Sequence, residues 1–183
     1  CYIEFASGSF EVDETMGNNP SEISRIKDNL RTLMGSDTFV IDSIIVTSSA
    51  SPEGTISFND RLSRRRSEGI SGYFSAWMSH HQDSLERERG FSVDEQGNVI
   101  VEKRREIPML GRSSGENWRM LDRLVERDTT LTPEQKESYC NLSAHQDLDA
   151  REKAMQSQDY YRHLREKLYP RLRTVRLDRK SVV

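Results

Sequence analysis

The helix predicted after residue 54 carries one arginine where an oily residue belongs. Its apolar stripe runs Phe58, Leu62, Arg66, Ile70, Tyr73, Phe74 and Trp77, at the helical spacing of three to four residues. Burying an unpaired cation costs several kcal/mol, so Arg66 is expected to meet a carboxylate, from the protein or from a ligand. The carboxylates near it in sequence are Glu53, Asp60 and Glu68. Upstream lies a loop of small residues ending in the turn signal Pro52-Glu53-Gly54. Such a loop followed by a helix N-terminus presents backbone N–H groups to an anion, and a guanidinium one or two turns further on adds a fork suited to a carboxylate. Ligand binding and an internal salt bridge are both open from this pattern.

Catalytic arrangements are missing from the sequence. It contains no P-loop, H-E-x-x-H or C-x-x-C. His80, His81, His145 and His163 are scattered through polar segments and read as surface residues, not as metal ligands or acid–base groups. Trp77 and Trp118 fall at core spacing. The expectation is a non-catalytic domain without metal or cofactor; an enzyme on an α/β scaffold has only the cleft in its favour.

The chain has 183 residues and a net charge of −3, with 31% charged and 34% hydrophobic residues. This suits a single domain with a real core and gives no global pull towards nucleic acid. The basic clusters Arg64-Arg65-Arg66 and Lys103-Arg104-Arg105 have acidic neighbours and no interleaved aromatics. No apolar run reaches the roughly 18–20 residues of a membrane span. Cys1 and Cys140 have neither disulfide-framework nor metal-ligand spacing. A leading cysteine is also what a mature lipoprotein would show, but Tyr2-Ile3-Glu4-Phe5 follows without a spacer, which favours an excised domain.

The elements that must position Arg66 follow from periodicity. Tyr2 to Phe5 reads as a strand, and Ala6 to Asn19 as a loop anchored by Phe10 and Val12. Pro20 opens a helix with Ile23, Ile26, Leu30, Leu33 and Met34 buried and Gly35 as its cap. Phe39 to Val46 reads as a central strand, Thr47 to Gly54 as a loop, and the long helix runs to about Ser79, with His80 to Asp83 as its polar end. Phe91–Val93 and Val99–Val101 suggest a hairpin, and Gly111 to Gly115 a loop. Helices follow around Trp118–Val125, from Thr132 (an N-cap), over Asp147–Met155 and over Tyr160–Tyr169, where Pro170 stops it. Leu172, Val175 and Leu177 mark a last strand.

The pattern Asn59-x-x-Leu62-Ser63-x-x-Arg66, behind a strand and a turn containing Gly54, resembles the start of the long helix in the OmpA-like C-terminal domain family. Ser67 stands where that family has a small residue, and Ile41–Val46 matches its second strand. The resemblance spans roughly residues 1 to 77. Ala50-Ser51-Pro52-Glu53-Gly54 and Tyr169-Pro170-x-Leu172-Arg173 resemble a variant from envelope proteins of Gram-negative gut anaerobes, with extra helices before the last strand.

The resemblance implies an α+β fold, a βαβαββ two-layer sandwich with a helical insertion. That gives one domain over residues 1–183, a core of 1–80 and 170–179, and an insertion of about 84–169. It implies a periplasmic or outer-membrane-associated location in a Gram-negative bacterium and binding of the diaminopimelate-containing stem peptide of peptidoglycan. The arginine matching Arg66 would hold the ligand's carboxylate, with Asn59, Ser51 and Glu53 beside it. The family's threonine–aspartate pair is Ala50–Ser51 here, and Ala6 stands where an aspartate or asparagine often follows the first strand. An aspartate gives an ammonium a charge-assisted hydrogen bond of about 1.5–3 kcal/mol, which serine recovers only in part; Glu53 is the nearest substitute. The alternative is the same fold as a protein-interaction or structural module of a surface assembly, without peptidoglycan binding and with Arg66 held by Glu53.

Overall fold

The structure is a computed structural model that describes residues 2–35, 41–89, 96 and 107–181. The proposed hairpin at 91–101, Phe39, Val40, Lys103-Arg104-Arg105 and Cys1 lie outside the described residues. The fold is α+β: a four-stranded mixed sheet with, among the described residues, six α-helices.

The strands are β1 (Tyr2–Glu4), β2 (Ile41–Ala50), β3 (Met109–Glu116) and β4 (Thr174–Ser181), in the spatial order β1-β4-β2-β3. β4 runs antiparallel to both neighbours, with Ile3 opposite Val175 and Val46 opposite Leu177, while β2 and β3 are parallel, with Val46 opposite Gly111. Helix α1 (Asn19–Met34) and the long helix α2 (Ile56–Arg89) pack on this sheet. Their stripes meet in one core of Ile3, Phe5, Ile23, Ile26, Leu30, Ile44, Val46, Ile70, Phe74 and Val175.

Three boundaries differ from the expectations. β2 continues through Thr47–Ala50, which had read as loop. Gly111–Gly115 belongs to β3, inside the range assigned to an insertion. The cause is the same in both places: a helix sits so close to the sheet that only small residues fit. A Cβ on Gly111 would lie 3.0 Å from Ser67 Oγ, Ser63 Oγ donates to the Ser48 carbonyl at 2.6 Å, and Ser113 Oγ donates to Asp60 Oδ1 at 2.6 Å. Third, α2 runs past His80–Asp83 to Arg89; at about 1.5 Å per residue its 34 residues span about 51 Å. Its stripe also begins later than expected, because Phe58 is 45% exposed. Phe10, expected as an anchor, is 39% exposed and lies under the Arg65 guanidinium.

The remaining helices, α3 (Trp118–Arg127), α4 (Pro133–Leu142), α5 (Leu148–Met155) and α6 (Tyr161–His163), form a second core with a π-turn (Leu164–Leu168) and a 3-10 turn (Tyr169–Leu172). Pro170 sits inside that last turn. Thr132 caps α4 in a capping box with Gln135, and Asp147 caps α5. Among the bonds that fasten this helical unit to the sheet are Asn117 N to the Ala50 carbonyl at 3.0 Å and Ser49 Oγ to the Leu172 carbonyl at 2.7 Å.

Asp128 closes the loop between α3 and α4. It accepts from Thr130 N at 2.7 Å and Leu131 N at 3.0 Å, and pairs with His163 Nε2 at 2.8 Å. His163 is thus half-buried and engaged, not a free surface residue. Burial pushes the Asp128 pKa up, but the bonds from His163, Leu131 and Thr130 outweigh it and hold the carboxyl below its ordinary value. A lowered carboxyl pKa adds stability that is present above the unfolded value and lost as pH falls through the folded one. Asp128→Asn is expected to cost about 1–3 kcal/mol near pH 7. The gap to wild type in urea unfolding should close below about pH 4; a gap that persists in acid would exclude the carboxylate charge as its source.

Candidate functional site

The four residues singled out by sequence gather where β2 ends and α2 begins, but they do not form one cluster of ligand-facing groups. Arg66 is fully buried. Its Nε donates to the Ser9 carbonyl at 2.8 Å, Nη2 to the Ala6 carbonyl at 3.1 Å and Nη1 to the Ser49 carbonyl at 3.2 Å. The guanidinium also lies 5.1 Å from the centre of the Phe5 ring. The expected carboxylate partner is therefore replaced by three main-chain oxygens and a π face, and Glu53 is not its holder. Burial, and then the nearby Arg173 guanidinium, lower the Arg66 pKa to about 10, which leaves it charged at neutral pH.

The loop over Arg66 is itself pinned. Gly8 takes φ +68°, a left-handed conformation that lets Ser9 N reach the Ala6 carbonyl at 3.2 Å. Asn19, fully buried, accepts from Glu4 N at 2.8 Å and donates to the carbonyls of Glu4 and Asp13 at 3.0 and 2.8 Å. One amide thus fixes β1, the loop and the start of α1 together, and so holds the Ala6 and Ser9 oxygens on the guanidinium.

Glu53 turns the other way. Its Oε2 pairs with Arg173 Nη2 and its Oε1 with Arg165 Nε at 2.9 Å. Ser51 Oγ accepts from Arg173 Nε at 3.1 Å and donates to Glu53 Oε2 at 3.2 Å. Arg173 is 8% exposed, so this is a nearly buried Ser51–Glu53–Arg173 triad at the base of β4. Asn59 is also committed: its Nδ2 donates to Glu116 Oε1 at 2.7 Å, while Trp118 Nε1 donates to Glu116 Oε2 at 2.7 Å. Burial raises the Glu116 pKa; the bonds from Asn59 and Trp118 oppose this, and Asp149 and Glu152 add to it.

The anion site foreseen at the start of α2 is occupied from within the chain. Asp149 of α5 accepts from Ile56 N, the first residue of that helix, at 3.0 Å. The turn before it depends on Gly54, at φ +97°.

A cavity of about 410 Å³ opens beside the triad, lined by Ser7, Glu53, Tyr161, Arg162, Arg165, Glu166 and Arg173. Three guanidiniums there meet two carboxylates, and buried Arg66 adds a further positive charge behind them. Sequence reading had noted Arg173 within a motif without giving it a role. It missed Arg165, because neither a π-turn nor a partner 112 residues away leaves a local signal. Among the described residues no three His, Cys, Asp or Glu side chains cluster to hold a metal ion, and no helix is long and apolar enough to cross a membrane. No family model, no curated protein and no solved structure matches this chain.

Proposed function

We propose that this is a non-catalytic cell-envelope domain of OmpA-like type that binds the stem peptide of peptidoglycan and so anchors an outer-membrane or surface protein to the cell wall. The observation that carries the reading is the excess of buried positive charge at the β2–α2 junction. Arg66 and Arg173 are both buried, and Glu53 is the one described carboxylate in ion-pair contact with either. Paired buried cations of this kind gain most from an incoming anion. The cavity at their side lies at the end of β2, where the resemblance puts the ligand, and about 410 Å³ is in the usual range for a small-molecule site. The element order, with helices inserted between β3 and β4 of a βαβαββ frame, supports the same family reading. In this account Arg66 is a buried support that sets the potential, and Arg173 is the cation that meets the ligand.

A second reading rests on a different observation. Asn59, Ser51, Glu53 and the α2 N-terminus all have partners inside the chain. A cleft so engaged suits a protein-interaction or structural module of a surface assembly. Sedimentation with purified peptidoglycan separates the two. The anchoring reading predicts that the domain pellets with the polymer and that Arg173→Ala releases it to the supernatant. A wild-type domain that stays in the supernatant at low salt selects the interaction module.

A further inference from the structure

The helical unit before β4 has its own core, yet it turns one charged face towards the cleft. That face is carried by the π-turn Leu164–Leu168 and the residues just before it. π-helical turns are rare and recur at functional sites. Leu164 and Leu168 point into the helical core, while Arg165 projects to the cavity and is 65% exposed.

Across the cavity, Glu53 spreads its two oxygens over two guanidiniums from different elements, Arg165 of the π-turn and Arg173 at the base of β4. A bidentate carboxylate held by two arginines is the geometry an anionic ligand would adopt. Glu53 sits on the short loop between β2 and α2, so it can leave without unravelling either element. The cavity wall carries charges of both signs, with Glu166 close to Arg162 and Arg165.

We infer that Glu53 is a displaceable stand-in for a ligand carboxylate, and that Arg165, from the helical unit, is a ligand-binding residue of a site for the zwitterionic end of an amino acid. The ligand carboxylate replaces Glu53 on Arg165 and Arg173. Glu53, released, and Glu166 receive the ligand's ammonium. Arg165 and Arg173 each keep an anionic partner throughout, and the exchange adds no net charge to the cleft. A carboxylate without an ammonium would strand Glu53, and an amine without a carboxylate would leave Arg165–Glu53–Arg173 closed. The inference deepens the peptidoglycan reading and takes its ligand class from it, but assigns the recognition to Arg165 and Glu53.

The test is calorimetric titration of the whole chain with three probes of matched length: meso-2,6-diaminopimelate, pimelate and cadaverine. Diaminopimelate is expected to saturate, pimelate to bind at least about tenfold more weakly, and cadaverine to give no heat up to about 10 mM. Arg165→Ala should weaken diaminopimelate at least about tenfold while leaving the urea midpoint unchanged, because the side chain is exposed. Glu53→Gln removes the internal competitor and the ammonium acceptor together, so it should narrow the gap between diaminopimelate and pimelate. No saturation by diaminopimelate, or wild-type affinity in Arg165→Ala, overturns the inference. Sedimentation with peptidoglycan without diaminopimelate saturation leaves the anchoring reading standing and removes this one; saturation without sedimentation does the reverse.

Discussion

Arg66→Ala is expected to cost about 3–5 kcal/mol of folding stability, through a large cavity and lost hydrogen bonds to main-chain oxygens. The guanidinium spans carbonyls from the loop after β1 and from the end of β2, while its own Cα belongs to α2. It thus joins the three parts of the fold that meet at the cleft. Arg66→Lys separates charge from geometry. An ammonium keeps the charge but is a compact point that cannot reach three separated oxygens with a rigid fork, so it should recover less than half of the loss. Arg66→Met fills most of the volume and removes the guanidinium donors from those oxygens. Urea unfolding ranks the series as wild type, Lys, Met, Ala in falling stability. If alanine costs under about 1 kcal/mol, the range of an ordinary surface change, Arg66 is not the tie described here.

Arg151→Ala is expected to cost about 3 kcal/mol, from the other core, through lost stacking and packing. Arg151 is buried at 4% exposure, with its guanidinium 4.3 Å from the Trp118 ring centre and 5.1 Å from that of Tyr139. Nη2 also reaches Asp122 Oδ1 at 2.8 Å and Ser143 Oγ at 3.1 Å. The Asp122 side chain is about half exposed, so water screens that ion pair and it supplies little. Most of the loss comes from the planar group between two rings. Arg151→Lys should therefore recover only a small part, even though the ion pair can re-form. Tryptophan fluorescence reads both cores, Trp118 in the helical one and Trp77 on α2. Arg66 and Arg151 share no partners, so the double variant should show the sum of the single losses within about 0.5 kcal/mol. A much smaller sum would mean that one core is already open when the other fails.

The parts of the fold that announced themselves in sequence were those with large side chains at regular spacing. α1, α3 and β4 lie close to where Ile23–Met34, Trp118–Val125 and Val175–Leu177 put them, and Thr132 caps its helix. β3 and the end of β2 were illegible because their residues are small. Ser48, Gly111 and Ser113 are there to let α2 approach, and a strand chosen for closeness has no β-branched signature.

The site divides in the same way. Arg66 stood out because a cation interrupts an apolar stripe, and it is buried as that position demands. Its partners were hidden, since main-chain carbonyls leave no mark in a sequence. Glu53 was noticed for its nearness to Arg66 along the chain, but a turn residue can point either way, and it points to Arg173 and Arg165. Asp149 on the first turn of α2 joins positions 93 residues apart and could only be seen in the fold.

The most direct test of carboxylate reading in this cleft is to sediment the domain with two preparations of peptidoglycan. They should be identical except that the free carboxylate of diaminopimelate is converted to an amide in one. Amidation removes the negative charge and keeps the size of the group, so a site built on Arg173, with Arg66 behind it, should lose it as a ligand. The account predicts binding to the carboxylate form and loss of most of that binding on amidation. Equal binding to both forms, or to neither, would contradict it.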